Sequence, residues 1–178
     1  TLERFAQSIF ESIIPPGTHR IISDAYRLML FEEAMETVDL PFYKGLSDHL
    51  SRQTIEKCAE LLYGLRKDGI TAVALSQELQ SPDPKSMHGI NDVQRIHDLS
   101  VILAEYETIL ARENLLDYPA LLSLITETIH KSPDSILDYG IIIMDGFSEF
   151  TEPEWLFLDA LERSHTPFAC FLEYDPAN

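Results

Sequence analysis

The sequence predicts a mostly α-helical protein that carries a small α/β part with parallel strands. Two observations lead to this prediction. Apolar residues recur three or four positions apart along most of the first 132 residues, which is the period of an amphipathic helix. After Pro133 the pattern changes to two short apolar runs with one helical stretch between them. Such runs are typical of the buried strands of parallel sheets, so we predict a helical bundle followed by one β-α-β unit.

Six helices are predicted ahead of Pro133, each bounded by proline, glycine or a polar cluster. Pro15, Pro16 and Gly17 end the first helix. Pro41 and Gly45 are interpreted as a loop after the second helix. The predicted helices span Leu2–Ile14, Ile21–Thr37, Ser47–Arg66, Thr71–Leu79, a long stretch that starts at Asn91 and a last one that follows Asp117, with a loop over Ser81–Ser86 between the fourth and the fifth.

Capping residues mark the starts of the last two of these helices. Asn91 stands three residues before Gln94, which approximates a capping box. Asp117 can cap the following helix, where Pro119 is tolerated because first-turn N–H groups lack intrahelical partners. The long helix should bury one apolar stripe, made of Val93, Ile96, Leu99, Leu103, Tyr106 and Leu110.

Two strands are predicted in the α/β part. The first is the run Tyr139–Met144, which ends in Asp145-Gly146. Its continuous β-branched and apolar character predicts a strand that is buried on both faces. The second is Pro167–Leu172. Because a helical stretch joins them, the two strands should be parallel neighbours linked by a right-handed crossover.

The helix between the two strands carries clear starting signals. Thr151 and Glu154 have the spacing of a capping box, and Phe150 and Trp155 stand at the two positions of a hydrophobic staple. The apolar periodicity then continues to about Arg163. We therefore predict an amphipathic helix over Thr151–Arg163.

The charge balance argues against a free-standing nucleic-acid binder. With 30 Asp and Glu against 13 Lys and Arg, the chain has a formal net charge of −17. DNA binding normally needs a basic patch that can neutralise phosphates. Here the cations are scattered, and the loose group Arg52, Lys57, Arg66 and Lys67 is interpreted first as a solvated helix face and second as a weak DNA-binding candidate. We expect no appreciable DNA binding by the chain alone.

Other classes of site find little support in the sequence. Cys58 and Cys170 lie far apart without metal-ligand spacing. Spacing alone also allows a disulfide between them, but we expect two buried free thiols and a reducing, cytoplasmic compartment. The six histidines show no paired spacing, and we expect no metal site. No apolar run approaches the ~20 residues that cross a bilayer, and we expect no membrane partner.

Asp145 is the candidate for ligand chemistry, because α/β proteins place ligands at the carboxyl ends of their strands. In P-loop NTPases an acid at this place helps to hold Mg²⁺, and a following acid commonly orients water. Gly146 occupies the second place, and the phosphate-binding sequence G-x-x-x-x-G-K-[ST] does not occur in the chain. Asp-Gly is also a common turn, and both interpretations stay open at this point.

Three segments resemble UvrD-like superfamily 1 helicases, and they occur in the same order. Thr1–Ala6 (TLERFA) resembles the T-[LF]-x-x-[FL]-A segment that follows an early core strand. Tyr106–Leu110 (YETIL) and Asp117–Leu122 (DYPALL) resemble the later Y-x-x-x-L and D-[FY]-x-x-[LI]-L elements. In these helicases the intervening helices form a subdomain inserted into a RecA-like core. A Walker B strand, a helix and a further strand follow.

The segment Asp145–Thr151 (DGFSEFT) is most similar to the B subunit of AddAB-type helicase–nucleases, in which the Walker B region typically has the form D-G-F-x-x-F-T. The resemblance covers nearly the whole chain in order, whereas residues 15–90 match in helical character alone. Its motif-carrying residues are Asp145, Gly146, Phe147, Phe150, Thr151, Asp117, Leu121 and Leu122.

The resemblance implies a division into three parts. Residues 1–14 would be a helix that leaves a RecA-like core, residues 15–132 a helical accessory subdomain, and residues 133–178 a partial RecA-like P-loop core with a Walker B-like strand. The chain would be an internal piece of an AddB-like subunit that acts in DNA double-strand-break repair and recombination, without catalysis of its own. A P-loop would precede Thr1 in the parent, and nuclease residues would follow Asn178.

The same resemblance implies cofactors and partners. Asp145 would mark a degenerate nucleotide site, with ATP and Mg²⁺ expected only in the parent complex. The expected partners are the rest of the parent polypeptide, the A-type helicase–nuclease subunit, and DNA bound through the complex. The alternative is a stand-alone helical protein-interaction module in which Asp145-Gly146 is a turn and no nucleotide site exists.

Overall fold

The computed structural model describes residues 1–46, 50–80, 90–135, 141–147, 149–164 and 166–172. Within these ranges the protein is mostly helical, as predicted, and no helix is both long and apolar enough to cross a membrane. The helices are α1 Leu2–Ile13, α2 Asp24–Thr37, α3 Pro41–Leu46, α4 Arg52–Lys67, α5 Ala72–Gln80, α6 Ile90–Glu113, α7 Tyr118–Lys131 and α8 Glu152–Arg163, with a 3-10 turn at Pro133–Ser135; the strands are β1 Arg20–Ile21, β2 Leu115–Leu116, β3 Ile142–Phe147 and β4 Phe168–Leu172.

The chain forms two compact units. One unit is continuous and spans Arg20–Asp117; we call it the inserted unit. The other combines Thr1–His19 with Tyr118–Asn178, and we call it the discontinuous unit. The sequence of the inserted unit therefore lies between the two segments of the discontinuous unit.

Helix α6 is the centre of the inserted unit. Helices α2, α3, α4 and α5 all contact it. Tyr106 of α6 is fully buried and its ring stacks on that of Phe31 from α2, with centroids 3.9 Å apart and an interplanar angle of 3°. Strand β1 pairs in parallel with β2, which brings the two ends of the inserted unit side by side. The core is therefore assembled around the one long helix that the sequence marks.

Helix α3 lies where the sequence predicts a loop, so that prediction is wrong. Pro41 is the first residue of the helix, and a helix tolerates proline best at this position because no intrahelical N–H bond is lost there. The carboxylate of Asp98, buried on α6, accepts hydrogen bonds from the backbone N–H groups of Phe42 and Tyr43 at 3.0 and 3.2 Å. This acceptor is 55 residues or more away in sequence, and a short helix therefore forms without any local capping signal.

Tyr43 supplies a pH-dependent part of the stability. Burial raises the pKa of its phenol to about 12, the neighbouring Cys58 adds to the rise, and Arg95 opposes it. Since the folded pKa exceeds the unfolded value of about 10, this stabilisation is complete below pH ~10 and is lost as the pH rises through 12.

We therefore expect the free energy of unfolding of the native chain to fall, on account of this group, by up to about 2–3 kcal/mol between pH 10 and 12. Urea unfolding of the native chain and of Tyr43→Phe, at pH 9 and at pH 11.5, gives the fall in the free energy of unfolding between the two pH values for each protein. The fall should be larger in the native chain. An equal fall in both proteins would show that the Tyr43 phenol does not control the alkaline loss of stability.

Two helix starts differ from the predicted ones. Helix α2 begins at Asp24 instead of Ile21, because residues 20 and 21 pair with β2 and the Ser23 side chain caps the helix. Helix α4 begins at Arg52, where the hydroxyl of Ser51 accepts from Thr54 N at 3.2 Å. The predicted start of that helix, at residues 47–49, lies outside the described residues, as does the predicted loop over residues 81–86.

The long helix α6 confirms most of its predicted features. Leu99, Leu103, Tyr106 and Leu110 are buried as one stripe. Val93, however, is exposed, so the stripe does not extend to the first turn. Asn91 lies inside the helix, which begins at Ile90, and the predicted capping box is therefore wrong.

In the discontinuous unit, α7 contacts both α1 and α8. The rings of Phe5 and Phe157 lie 6.2 Å apart in this packing. Strands β3 and β4 are parallel neighbours, with Ile142 opposite Phe168 and Met144 opposite Cys170, and α8 joins them. The predicted β-α-β unit is therefore confirmed, although β3 begins at Ile142 and continues past Met144 to Phe147. Residues 139–140 of the predicted first strand lie outside the described residues. A two-stranded sheet does not by itself show a P-loop RecA-like core.

The prediction that β3 is buried on both faces is wrong. Ile142 and Met144 are buried, whereas Ile143 is 62% exposed. In β4, Phe171 is opposite Asp145 and is 59% exposed. One connecting helix can cover only one face of a sheet, so continuous apolar sequence is here compatible with one buried and one exposed face.

Candidate functional site

Asp145 lies on the exposed face of the sheet near the carboxyl end of β3. The strand continues beyond it to Phe147, and the pairing with β4 has an irregularity between Asp145 and Phe147. Gly146 lies at this bulge with a φ of 78°. The interpretation of Asp145-Gly146 as a simple turn is therefore wrong, since both residues belong to the strand.

The backbone at Gly146 bears on what chemistry the strand end could perform. A Cβ atom at this position would meet nothing within 4 Å, so space alone does not exclude a side chain. The left-handed φ does disfavour one, by about 1–2 kcal/mol for an L-residue. A second acid at residue 146 would therefore be strained with this backbone, independently of any loss of the acid itself.

The start of α8 follows the predicted capping pattern. Thr151 donates to Oε2 of Glu154 from its backbone N–H at 2.9 Å and from its hydroxyl at 3.0 Å. The hydroxyl of Tyr118 donates to Oε1 of the same carboxylate at 2.9 Å. Both oxygens of Glu154 are thus engaged in holding α8 to its own start and to α7. Glu154 is therefore a structural residue.

An apolar surface, which we call the apolar ledge, lies between β3 and the first turn of α8. Its members are the rings of Phe147, Phe150 and Trp155, together with Leu156, the exposed residue that follows Trp155 on α8. The rings of Phe147 and Phe150 stack with centroids 5.1 Å apart, and Phe150 meets Trp155 edge-on at 5.1 Å. The second contact confirms the predicted hydrophobic staple. Trp155 and Leu156 are nevertheless 54% and 52% exposed.

The residues around Asp145 do not form a complete site for ATP and Mg²⁺. Asp145 is exposed, and among the described residues no group of three or more His, Cys, Asp or Glu side chains is placed to hold a metal ion. Mg²⁺ bound through a single carboxylate needs substrate phosphates and waters to complete its shell. The phosphate-binding loop that would supply those contacts is absent from the sequence.

A second polar cluster, the buried ion cluster, lies inside the inserted unit and consists of Arg66, Tyr106, Glu107 and Asp117. Arg66 Nε donates to Asp117 Oδ2 at 2.7 Å, and Arg66 Nη1 donates to Glu107 Oε1 at 2.7 Å. The hydroxyl of Tyr106 donates to Asp117 Oδ2 at 3.0 Å. The Asp117 side chain is 1% exposed and that of Arg66 is 13% exposed. One buried cation therefore joins two carboxylates from sequence-distant elements.

Burial is the largest cause of the pKa shifts of Glu107 and Tyr106 in this cluster. It raises the pKa of Glu107, and the charge of Arg66 opposes the rise. Burial, followed by the charge of Asp117, also raises the pKa of Tyr106, so the phenol remains a hydrogen-bond donor. The donors and acceptors of the cluster bond to one another. The cluster is therefore structural and holds α4 against α6 within the inserted unit.

The four weak DNA-binding candidates do not form one surface. Arg66 is held in the buried ion cluster, so its guanidinium faces carboxylates in place of solvent. Lys57 and Lys67 are exposed, and the exposed Arg52 pairs with Glu56 at 2.9 Å. Only three of the four are accessible, and one of these already has an anionic neighbour.

The motif residues Asp117, Leu121 and Leu122 are all buried. Asp117 belongs to the buried ion cluster, and the two leucines lie on the buried side of α7. Sequence analysis missed the part played by Glu107 and by Arg66. The motif spacing relates Tyr106 to Asp117, but nothing local to Arg66 indicates that a residue 51 positions away binds it.

Comparison with known proteins yields one family. A family model described as "ADDB, N-terminal" matches residues 1–178, which is the whole chain. No curated protein matches the chain.

Proposed function

The chain belongs to the ADDB N-terminal family, and from this membership we propose that it forms the accessory subdomain and the degenerate nucleotide-site segment of an AddB-like subunit. The family places the chain broadly in DNA repair, in an AddAB-type complex with a partner subunit. Within that complex, the proposed role is to position other parts and to guide DNA, without hydrolysing ATP itself. The repair of double-strand breaks by a helicase–nuclease is the proposed setting.

The observation that carries the proposal is the order β3, α8, β4 with Asp145 near the carboxyl end of β3. Parallel strands joined by a crossover helix place such an acid where α/β proteins bind ligands. Asp145 is thus proposed as the remnant of a Walker B acid. Its neighbour Gly146 supports degeneracy, because its positive φ is unsuited to the second acid.

The buried ion cluster supports a structural role for the inserted unit. Tyr106 and Asp117, which carry the helicase-like motifs, contact one another and Arg66 inside the unit. These motif residues therefore act by holding α4 to α6 and to the residue that follows β2, and we propose no contact with DNA for them. Guidance of DNA would fall to surfaces that the complete subunit presents.

The proposal predicts that Asp145 does not support nucleotide turnover. The native chain titrated with ATP and Mg²⁺ in a calorimeter should show no micromolar binding, because a single exposed carboxylate holds hydrated Mg²⁺ weakly. In an AddAB-type complex that contains this chain, Asp145→Asn should leave the ATP hydrolysis rate within about twofold of the native value, since a factor of two is below 0.5 kcal/mol in the barrier.

The matched control in the same complex is Glu162→Gln, an exposed acid of α8 that has no part in the motif. A loss of hydrolysis in Asp145→Asn of tenfold or more, with Glu162→Gln unaffected, would show an active site and overturn the degenerate assignment. Micromolar ATP binding by the chain alone would do the same.

The alternative of a stand-alone interaction module has less support. It requires Asp145-Gly146 to be a turn, whereas both residues lie within β3. It also leaves unexplained why the family match covers the helical and the α/β parts together.

A further inference from the structure

The apolar ledge has more exposed surface than its structural role requires. A hydrophobic staple needs an apolar side chain at the position of Trp155 to contact Phe150, and many apolar residues would satisfy it. Here the position holds the only tryptophan of the chain, with more than half of its surface in solvent. Leu156, the next residue, is exposed to the same degree and takes no part in the staple. Exposed apolar side chains beside a cluster of contacting aromatic rings are typical of an interaction site.

Acidic residues flank the apolar ledge. Glu149 is exposed between Phe147 and Phe150 in the chain. Glu152 is exposed on α8 and precedes Trp155 and Leu156 by three and four positions, which places it on the same side of the helix. The surface therefore combines apolar anchors with a negatively charged border.

The charge of the discontinuous unit points to the chemistry of the partner. Its sequence contains three Lys or Arg against thirteen Asp or Glu, so it carries a net charge of −10 out of the total of −17. Such a field repels the phosphates of nucleic acid and attracts cationic polypeptide. A half-exposed tryptophan also favours cations, because the face of an indole attracts Lys and Arg.

We propose that the apolar ledge is a docking surface for a cationic amphipathic segment of a protein partner. Trp155 is the central anchor, Leu156 and the two phenylalanines provide the apolar floor, and Glu149 and Glu152 pair with Lys or Arg of the segment. Aromatic anchors surrounded by a polar rim are the usual arrangement of protein interfaces. The inference goes beyond the proposed function and does not depend on the state of the nucleotide site.

The fluorescence of Trp155 can be used to detect binding at the apolar ledge, since no other tryptophan contributes to the emission. The probe is a fluorescein-labelled 18-residue helical peptide of Leu and Lys, titrated at ~0.15 M salt, where long-range charge effects are screened. We expect a blue shift of Trp155 emission with an unlabelled version of the same peptide and a dissociation constant on the order of 10 μM by anisotropy, as for a small transient interface. A Leu/Glu peptide with the same apolar pattern and an oligo(dT) strand should not bind.

Variants of the 178-residue chain separate the ledge from general charge attraction. Trp155→Leu keeps an apolar staple and should weaken peptide binding about tenfold, as for loss of an interface anchor. Glu149→Gln with Glu152→Gln should weaken it about fivefold, as for loss of rim charges. The control pair Glu36→Gln with Glu60→Gln changes the net charge equally, at exposed positions of α2 and α4, and should leave binding unchanged.

Circular dichroism verifies that each variant is folded; if Trp155→Leu is not, the comparison of the two glutamate pairs decides. Equal weakening by both pairs would assign the binding to net charge and overturn the proposal. So would an absence of peptide binding, or binding of oligo(dT) with equal affinity. Self-association in sedimentation that depends on Trp155 would identify a second copy of the chain as the occupant instead.

Discussion

Asp117→Ala should lower the free energy of unfolding by about 3–5 kcal/mol, the usual cost of removing one partner from a buried ion pair. The substitution leaves the buried guanidinium of Arg66 with Glu107 as its remaining carboxylate partner in the buried ion cluster, and it removes the acceptor of the Tyr106 hydroxyl. Arg66→Ala should cost a similar amount, because it leaves two carboxylates close together in a desolvated place. Urea unfolding followed by circular dichroism measures both effects.

The double variant distinguishes an ion pair from two independent contacts. Arg66→Ala with Asp117→Ala should cost clearly less than the sum of the single variants, since of the three charges only Glu107 is then left without its partner. Arg52→Ala serves as the control, because it breaks a pair of the same type on the solvent-exposed side of α4 and should not measurably change stability. Strict additivity of the two buried changes would contradict the assignment of a coupled cluster.

Phe157→Ala should lower the free energy of unfolding of the discontinuous unit by about 3–5 kcal/mol. The Phe157 side chain is fully buried, and its ring contacts that of Phe5 on α1. Truncation removes apolar contacts and leaves a cavity that surrounding helices can fill only in part. Trp155 lies two residues away on the same helix, so its fluorescence follows the unfolding of this unit directly.

The adjacent residue provides a matched control for this change. Leu156→Ala removes apolar volume from the same helix at a position that is 52% exposed, and it should change stability by less than about 1 kcal/mol. A similar effect of both substitutions would contradict the placement of Phe157 in the core. Cysteine oxidation does not complicate the measurement if a reductant is present, since both cysteines are free thiols; Cys58 is buried as expected, whereas Cys170 is only half-buried.

Those parts of the fold that depend on local sequence could be predicted. The capping box at Thr151 and Glu154, the staple of Phe150 and Trp155, and the parallel pair β3 and β4 all follow from residues within a few positions of one another. Periodicity alone also located most of the helices, because an amphipathic stripe repeats within each element.

The failures have a common physical cause, which is that the deciding contact is distant in sequence. Asp98 caps α3 from more than 50 residues away, and this contact cannot be seen in the local sequence. The local residues Pro41 and Gly45 favour a loop, which is why the helix was not predicted. The pairing of β1 with β2 shortens α2 in the same way. Arg66 belongs to a cluster with residues 41 and 51 positions away, and a sequence of scattered cations cannot show which of them is buried. For the candidate site, the sequence located Asp145 at the end of a strand, but it did not show that the sheet face carrying Asp145 is exposed.

The discontinuous unit has a consequence for the order in which the chain folds. Helix α1 packs against α7, and about 100 residues separate them, so α1 emerges from the ribosome roughly 5–20 s before its partner exists, at ordinary rates of synthesis. The inserted unit can fold during this interval. Its β1–β2 pairing then places Arg20 opposite Leu115, so the loop between α1 and α7 is reduced to residues 14–20 and 115–117. Folding of the inserted unit within this interval would therefore lower the entropic barrier to joining α1 with α7.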